Sequence, residues 1–310
     1  MTVSVIIPAF NAEKYIEKCI HSVLAQEYGH MEIICVDDRS SDNTWSILES
    51  CREKNPSIML LRNDNNKGAC FARNRGLKIA TGEYIQFLDA DDVLLPRKIA
   101  HQIKLVSESA PAPDLIAGNY SWVNNGKKII PALFTFNVWE DLLKGTLGNT
   151  CSNLWKKKSL DNVAGWEENA FSSQETDLMF RMLKENAAVV YDTEPLTVIY
   201  QRKSGSISSS NPSETYQRYL EIRIQIMEYL RTTGNLTVQI TETFNKIIFN
   251  TVRILYSHNQ ELALEYYANL FPSKITLKYL SYSSAIYKLL FLLAGFRGAE
   301  EMARIFKRSK

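Results

Sequence analysis

Short apolar runs alternate with longer, helically spaced stretches through the N-terminal part of the chain. Val3 to Ile7 is a continuous apolar run of strand length. In Glu13–Ala25 the residues Tyr15, Ile16, Cys19, Ile20, Val23 and Leu24 recur at the spacing of one helix face. Met31 to Val36 is a second buried-strand run, rich in β-branched residues. Ser41-Asp42-Asn43 then offers N-cap chemistry to a helix carrying Trp45, Ile47, Leu48 and Cys51. Ile58 to Leu61, a helix over Ala69–Ile79 and the run Tyr84 to Leu88 continue the alternation. Strands separated by helical segments predict βαβ units, so the fold class is α/β with a mostly parallel sheet flanked by helices.

The pattern is mixed between Asp114 and Tyr200. A hairpin turn is expected at Gly126, a helix over Asp177–Leu183, and strands at Ala188–Tyr191 and Leu196–Tyr200. Lys203 to Pro212 is rich in Ser and Gly and reads as a loop. Beyond Pro212 the chain is helical, with one stripe at Tyr219, Ile222, Ile226 and Leu230 and another at Ile247, Ile248, Val252 and Leu255. A boundary near Pro212 divides residues 1–211 from a helical region, 212–310. A length of 310 residues fits two domains.

Composition removes several classes of function. Lys plus Arg number 36 against 34 Asp plus Glu, a net charge of +2, which lacks the basic excess of a nucleic-acid binder. Five cysteines (Cys19, Cys35, Cys51, Cys70, Cys151), with no C-x-x-C pair, point to reduced thiols and a cytoplasmic protein. No signal peptide is read at the N-terminus, and Leu289–Phe296 falls short of the roughly 20 apolar residues that span a bilayer. The segments G-x-G-x-x-G, G-x-x-x-x-G-K-[ST], G-x-S-x-G and H-E-x-x-H are all absent. His21, His30, His101 and His258 show no ligand spacing.

Ligands of open α/β sheets bind at the carboxyl ends of the strands. Pro8-Ala-Phe-Asn11 follows the first strand, Asp37-Asp38-Arg-Ser-Ser-Asp42 the second, and Asp89-Ala-Asp91-Asp92 the Tyr84–Leu88 run. Six carboxylates along one edge repel one another unless a cation or a hydrogen-bonded ligand shares the site. Asp89 and Asp91 are hard oxygen ligands suited to Mg²⁺ or Mn²⁺ beside phosphate oxygens. Helix capping with solvated charges is the alternative. Arg73 opens a helix and can reach a diphosphate, or sit on a solvated helix face. Glu175 and Asp177 start another helix, where the macrodipole alone favours acids.

These segments occur in an order that resembles the family 2 glycosyltransferases of the GT-A fold. The blocks are Val3-Ser-Val-Ile-Ile-Pro-Ala-Phe-Asn11, Val36-Asp-Asp-Arg-Ser-Ser-Asp42, and Asn66-Lys-Gly with Ala72-Arg-Asn-Arg-Gly76. Gly82-Glu-Tyr-Ile-Gln-Phe-Leu-Asp-Ala-Asp-Asp92 and Gln174-Glu-Thr-Asp177 complete the series. The resemblance covers about residues 1–210 and leaves the helical tail unmatched.

It implies a metal-dependent, inverting hexosyl- or N-acetylhexosaminyl-transferase that takes a nucleotide-diphospho-sugar, most often a UDP-sugar, to a glycan or lipid-linked acceptor in surface polysaccharide, capsule or lipopolysaccharide synthesis. Asp38 would bond the nucleobase in a pocket shaped by Pro8 and Phe10, with Arg73 near the nucleotide. Asp89 and Asp91 would hold ribose and the metal–diphosphate. Relatives carry Glu-Asp where this chain has Gln174-Glu175, which makes Glu175 the expected base and Asp177 the second choice. Many carry a His near Tyr200–Ser206; here Lys203 stands in that segment and is expected to contact the diphosphate from a lid over Lys203–Asn211. A nucleotidyltransferase would want a glycine-rich, cationic loop after the first strand, and a non-catalytic nucleotide-sugar module would bind without transfer. At the C-terminus, Arg297–Lys310 holds five cations and two acids beside the apolar Ile286–Phe296. Peripheral contact of these helices with an anionic membrane and a packing helix with a solvated basic end are the two readings of that segment.

Overall fold

The computed structural model describes residues 1–131, 134–201, 211–271, 277–280 and 282–308. The chain divides into two units, Met1–Ala170 with Gln174–Ser204, and Phe171–Ser173 with Gly205–Lys310.

In the first unit the elements are β1 (Val3–Ala9), α1 (Ile16–Leu24), β2 (Met31–Asp37), α2 (Thr44–Lys54), β3 (Ile58–Arg62), α3 (Ala69–Ile79), β4 (Tyr84–Phe87), β5 (Val93–Leu94) and α4 (Lys98–Glu108). They continue with β6 (Leu115–Gly118), β7 (Ser121–Asn124), β8 (Lys127–Ile129), α5 (Val138–Lys144), β9 (Leu154–Lys156), α6 (Lys157–Asn162), α7 (Gln174–Lys184), β10 (Val189–Asp192) and β11 (Thr197–Tyr200). A seven-stranded sheet runs β10-β6-β9-β4-β1-β2-β3. Only β9 runs antiparallel to its neighbours β4 and β6. Every residue of β1 is buried, as a strand covered on both faces requires. α1 covers one face through Ile16, Cys19, Ile20 and Val23, the apolar positions read from the sequence.

A smaller sheet, β5-β11-β7-β8, lies in the same unit. Its β7–β8 hairpin turns at Asn125 and Gly126, with φ of 48° and 77°. Two consecutive positive φ values match the twist of the flanking strands. The two-residue β5 and the three-residue β9 were not predicted: each is too short for a periodicity to show.

Register fixes the functional edge. Pairing of Ala9 with Asp37 brings the ends of β1 and β2 level, and β4 ends toward the same edge three residues earlier, with Phe87 opposite Ile6. Gly76 in α3 allows that helix to sit on β1, since a Cβ there would lie 2.5 Å from Ile6 Cγ2.

The second unit contains α8 (Pro212–Thr232), α9 (Val238–Tyr256), α10 (Gln260–Leu270), a 3-10 turn (Leu277–Leu280) and α11 (Ala285–Arg308). Asn211, Thr237 and Asn259 cap the first three helices through side-chain oxygens, and Pro212 takes the first turn of α8, where a missing N–H costs nothing. Ile222, Ile226 and Leu230 of α8 and Ile248, Val252 and Leu255 of α9 are buried, as the two stripes predict.

One buried cation lies beneath the sheet. Lys98 Nζ donates to Gln86 Oε1 and, at 3.4 Å, to the Asn153 carbonyl. Burial pulls its pKa down to about 7. Above that value the unfolded chain, titrating at about 10.4, binds the extra proton, so stability rises with pH from about 7 to 10. Below about 7 both states are protonated and this contribution is flat. Melting temperature measured from pH 6 to 9.5 is expected to climb more steeply in the native protein than in Lys98→Met. Parallel curves would show that Lys98 is not held neutral.

Candidate active site

The first two strand-end loops are laced together by side chains. The Asn11 amide donates to Ser40 Oγ at 3.0 Å, and the Ser41 amide donates back to Asn11 Oδ1 at 2.9 Å. Asp42 accepts from the Glu13 and Thr44 amides, 3.1 and 3.0 Å, which holds α1 and α2 in register at their starts. Phe10, 45 % exposed, projects from this rigid loop, while Pro8 is buried within β1. The pair thus provides an apolar ring over a fixed floor.

Asp37 and Asp38 are both buried. Asp37 pairs with Arg62 Nε at 3.0 Å. The Asp38 carboxylate accepts from the amides of Lys67 (3.0 Å) and Gly68 (2.7 Å) and from Asn63 Nδ2 (2.6 Å). It therefore holds the start of α3, where Gly68 takes φ 90°, a region that favours glycine. The expected nucleobase contact would have to share a carboxylate already accepting three donors.

The acidic loop after β4 is built around a buried guanidinium. Arg73 donates to Asp89 Oδ1 at 2.6 Å and to Gln174 Oε1 at 3.3 Å, and its plane lies 4.7 Å from the Trp166 ring. Only 5 % exposed, it does not sit on a solvated helix face. Burial opposes its charge, but the Asp89 carboxylate outweighs that and holds Arg73 more firmly protonated than usual. Trp166 in turn packs edge-on to Phe87 and Trp155, centroids 5.2 and 6.0 Å away.

Asp92 turns inward. It accepts from the Tyr200 amide at 3.0 Å and from the Cys151 thiol at 3.4 Å, and Cys151 Sγ itself accepts from the Asp89 amide at 3.2 Å. Burial, then the charges of Asp89 and Asp91, push the Asp92 carboxyl well above its ordinary pKa. One ligand atom from each of Asp89, Asp92 and Cys151 lies within 4.8 Å of the others. Closely set carboxylates with one forced toward its neutral form are an arrangement that a hard divalent cation relieves. Asp91 is not in this inner trio and is half-buried beside it.

α7 begins at the far side of Arg73. Glu175 is half-buried, and its charge acts on Cys70 of α3 and on Tyr120. Asp177 is buried and bonded to Arg181 Nε at 2.8 Å, one turn along the helix. Arg181 also donates to the carbonyls of Val163 and Gly165. Structure thus brings Asp89, Arg73 and the Gln174–Glu175 pair to one place, and assigns Asp177 to an ion pair. Lys203 and most of the expected lid lie outside the described residues.

Sequence reading did not find Cys151, Trp166 or the contact of Gln174. A lone cysteine and a lone tryptophan carry no spacing signal, and both act through tertiary contacts more than fifty residues away in the chain. Gln174 was visible only as a departure from the expected pair.

The model of the family described as glycosyl transferase family 2 matches residues 4–163. An Escherichia coli protein, UDP-Glc:alpha-D-GlcNAc-diphosphoundecaprenol beta-1,3-glucosyltransferase WfgD, is 33% identical over 222 residues, which are 70% of this chain and 83% of that protein. The structure of S. aureus TarS 1-349 in complex with UDP-GlcNAc matches with a TM-score of 0.62 and 21% identity, covering 82% of both chains. Mannosyltransferase PcManGT from Pyrobaculum calidifontis, in complex with GDP-Man and Mn2+, matches with a TM-score of 0.60 and 17% identity, over 97% of this chain and 83% of that one. These two structures share the GT-A fold with this chain.

The Asp38 contacts have a measurable consequence. Asp38→Ala leaves two backbone amides and the Asn63 amide short of an acceptor and is expected to cost about 2 to 4 kcal/mol in urea unfolding. A loss below about 0.5 kcal/mol would mean that the loop does not depend on this carboxylate.

Proposed function

The chain belongs to glycosyl transferase family 2 and is a glycosyltransferase; we propose that it moves a sugar from a UDP-sugar to a hydroxyl of a lipid-linked glycan, with inversion at the anomeric carbon. The observation that carries the residue assignment is the Arg73 bridge. It sets the acidic donor-side loop (Asp89) against the helix that bears the base (Glu175). The donor class follows from the relatives, whose names specify UDP-Glc and a diphosphoundecaprenol-linked acceptor, and from a solved neighbour holding UDP-GlcNAc. Assembly of a surface polysaccharide is the setting that such an acceptor fits.

In this reading Phe10 stacks on the nucleobase above Pro8, and Asp38 orders the Lys67–Gly68 turn that borders it. Arg73 holds Asp89 in place, so its part toward the nucleotide is exerted largely through that carboxylate. Asp89, Asp91 and Asp92 are the groups that fit Mn²⁺ or Mg²⁺, by their oxygen donors and by the charge crowding at Asp92. Bound there, a divalent cation supplies neutralisation of the charge gathering on the departing diphosphate. Glu175 takes the proton of the acceptor hydroxyl as that oxygen bonds the anomeric carbon. The bond from that carbon to the diphosphate breaks on the opposite face, and its electron pair leaves with UDP. Asp177, engaged by Arg181, orients the first turns of α7 rather than exchanging the proton.

Glu175→Gln is expected to lower transfer by about 10²- to 10⁴-fold while donor affinity stays within about twofold, as measured by UDP release and by calorimetry. Transfer retained by this variant would remove Glu175 from the role. Metal affinity is linked to pH because Asp92 must lose its proton to act as a ligand. Below its raised pKa protons compete, so Mn²⁺ affinity is expected to rise with pH from 5 to 8, and Asp92→Asn should flatten that rise. An identical pH slope in the variant would exclude Asp92 from the metal-linked group.

A further inference from the structure

The two sides of α11 have opposite chemistry. One side is packed: Tyr287, Phe296 and Ala299 are buried, Phe291 meets Phe249 of α9 at a ring-centroid distance of 5.6 Å, and Glu300 pairs with Arg253 at 2.6 Å. The other side carries Ile286, Leu289, Leu292 and Leu293, which are 69, 57, 63 and 76 % exposed. Their spacing places all four on one face of the helix. Gly295 then breaks the helical path, with φ 65° and ψ −171°, and exposed Met302 and Ile305 follow. Isolated surface leucines are ordinary, but four large aliphatic groups on one helix face form a patch that calls for a covering surface.

Charge narrows what that surface is. Residues 285–310 contain six cations (Lys288, Arg297, Arg304, Lys307, Arg308, Lys310) and two acids, Glu300 and Glu301. Glu300 is buried against Arg253, and Glu301 pairs with Arg297. A segment of net charge +4 repels a second copy of itself and attracts an anionic partner. Among the described residues no helix is long and apolar enough to cross a membrane. An exposed apolar face with excess positive charge matches a helix lying in the plane of a negatively charged bilayer.

We propose that the Ile286–Leu293 face of α11 docks into the interfacial layer of an anionic membrane, with Arg297 and Arg304 at the headgroups. The proposal deepens the functional reading, resting on it for the idea that the acceptor is lipid-linked and lies in that same layer.

The test is flotation of the full chain with phosphatidylcholine vesicles containing about 30 mol% phosphatidylglycerol, against phosphatidylcholine alone. Binding to the anionic vesicles is expected to be at least tenfold stronger and to fall at high salt. Leu289→Glu/Leu293→Glu should lower it at least tenfold with an unchanged melting temperature, since both side chains are already in water. Equal partitioning of the native and doubly substituted proteins would overturn the proposal. So would a native dimer, seen by sedimentation, that the double substitution dissolves, because the face would then belong to a second copy. Sugar transfer to a soluble, short-chain glycolipid acceptor, read as UDP release, separates the two claims. The double variant should keep that activity. Absence of transfer in both proteins would count against the functional reading and leave the vesicle result standing.

Discussion

A single buried guanidinium ties the site together. Arg73 reaches Asp89 on the loop after β4 and Gln174 at the start of α7, with Trp166 beneath it. These groups lie about a hundred residues apart in the chain, and a planar guanidinium meets them with two separate nitrogens held in a fixed fork, a geometry that the single nitrogen of a lysine does not set. Burial alone would make this charge costly. The Asp89 carboxylate compensates, so the cation persists and the geometry of both partners is set by it. The aromatic cluster of Phe87, Trp155 and Trp166 supports the plane on which it rests.

The acids behind Asp89 show the complementary tension. Asp92 is buried beside two other carboxylates and is held by the Tyr200 amide and the Cys151 thiol. The charges of Asp89 and Asp91 add to burial in raising the Asp92 carboxyl, and Arg73 is bonded to Asp89. That crowding is what the proposed divalent cation would relieve, and a ligand that binds only the folded loop would stabilise it. The docking proposed for α11 has the same form at larger scale: an anionic surface would satisfy both its exposed apolar face and its basic excess.

The α/β alternation was legible because buried strands and amphipathic helices leave strong periodic signals. Val3–Ile7, the α1 face and the α8 and α9 stripes lie where their patterns place them. Strand ends then pointed to the candidate edge, since Asp37-Asp38 and Asp89-Ala-Asp91-Asp92 each follow an apolar run. What could not be read was the division of labour among the polar groups. Whether Asp38 faces solvent or accepts from Lys67 and Gly68 depends on a loop brought in from the next βα unit. Whether Arg73 is solvated or buried depends on Trp166, nearly a hundred residues on. The short strands β5 and β9 exist because neighbours pair with them, and no local pattern announces that.

Arg73→Lys tests the clamp most directly, because it keeps the charge and removes the fork. The measurement is a pair of numbers from one preparation: turnover with saturating donor and acceptor, and the melting temperature that reports whether the fold survives. A protein that melts within a few degrees of the native one but turns over at least a hundredfold more slowly is the expected result. Native turnover in Arg73→Lys would contradict the account, since charge alone would then suffice and the bridge between Asp89 and Gln174 would not organise the site.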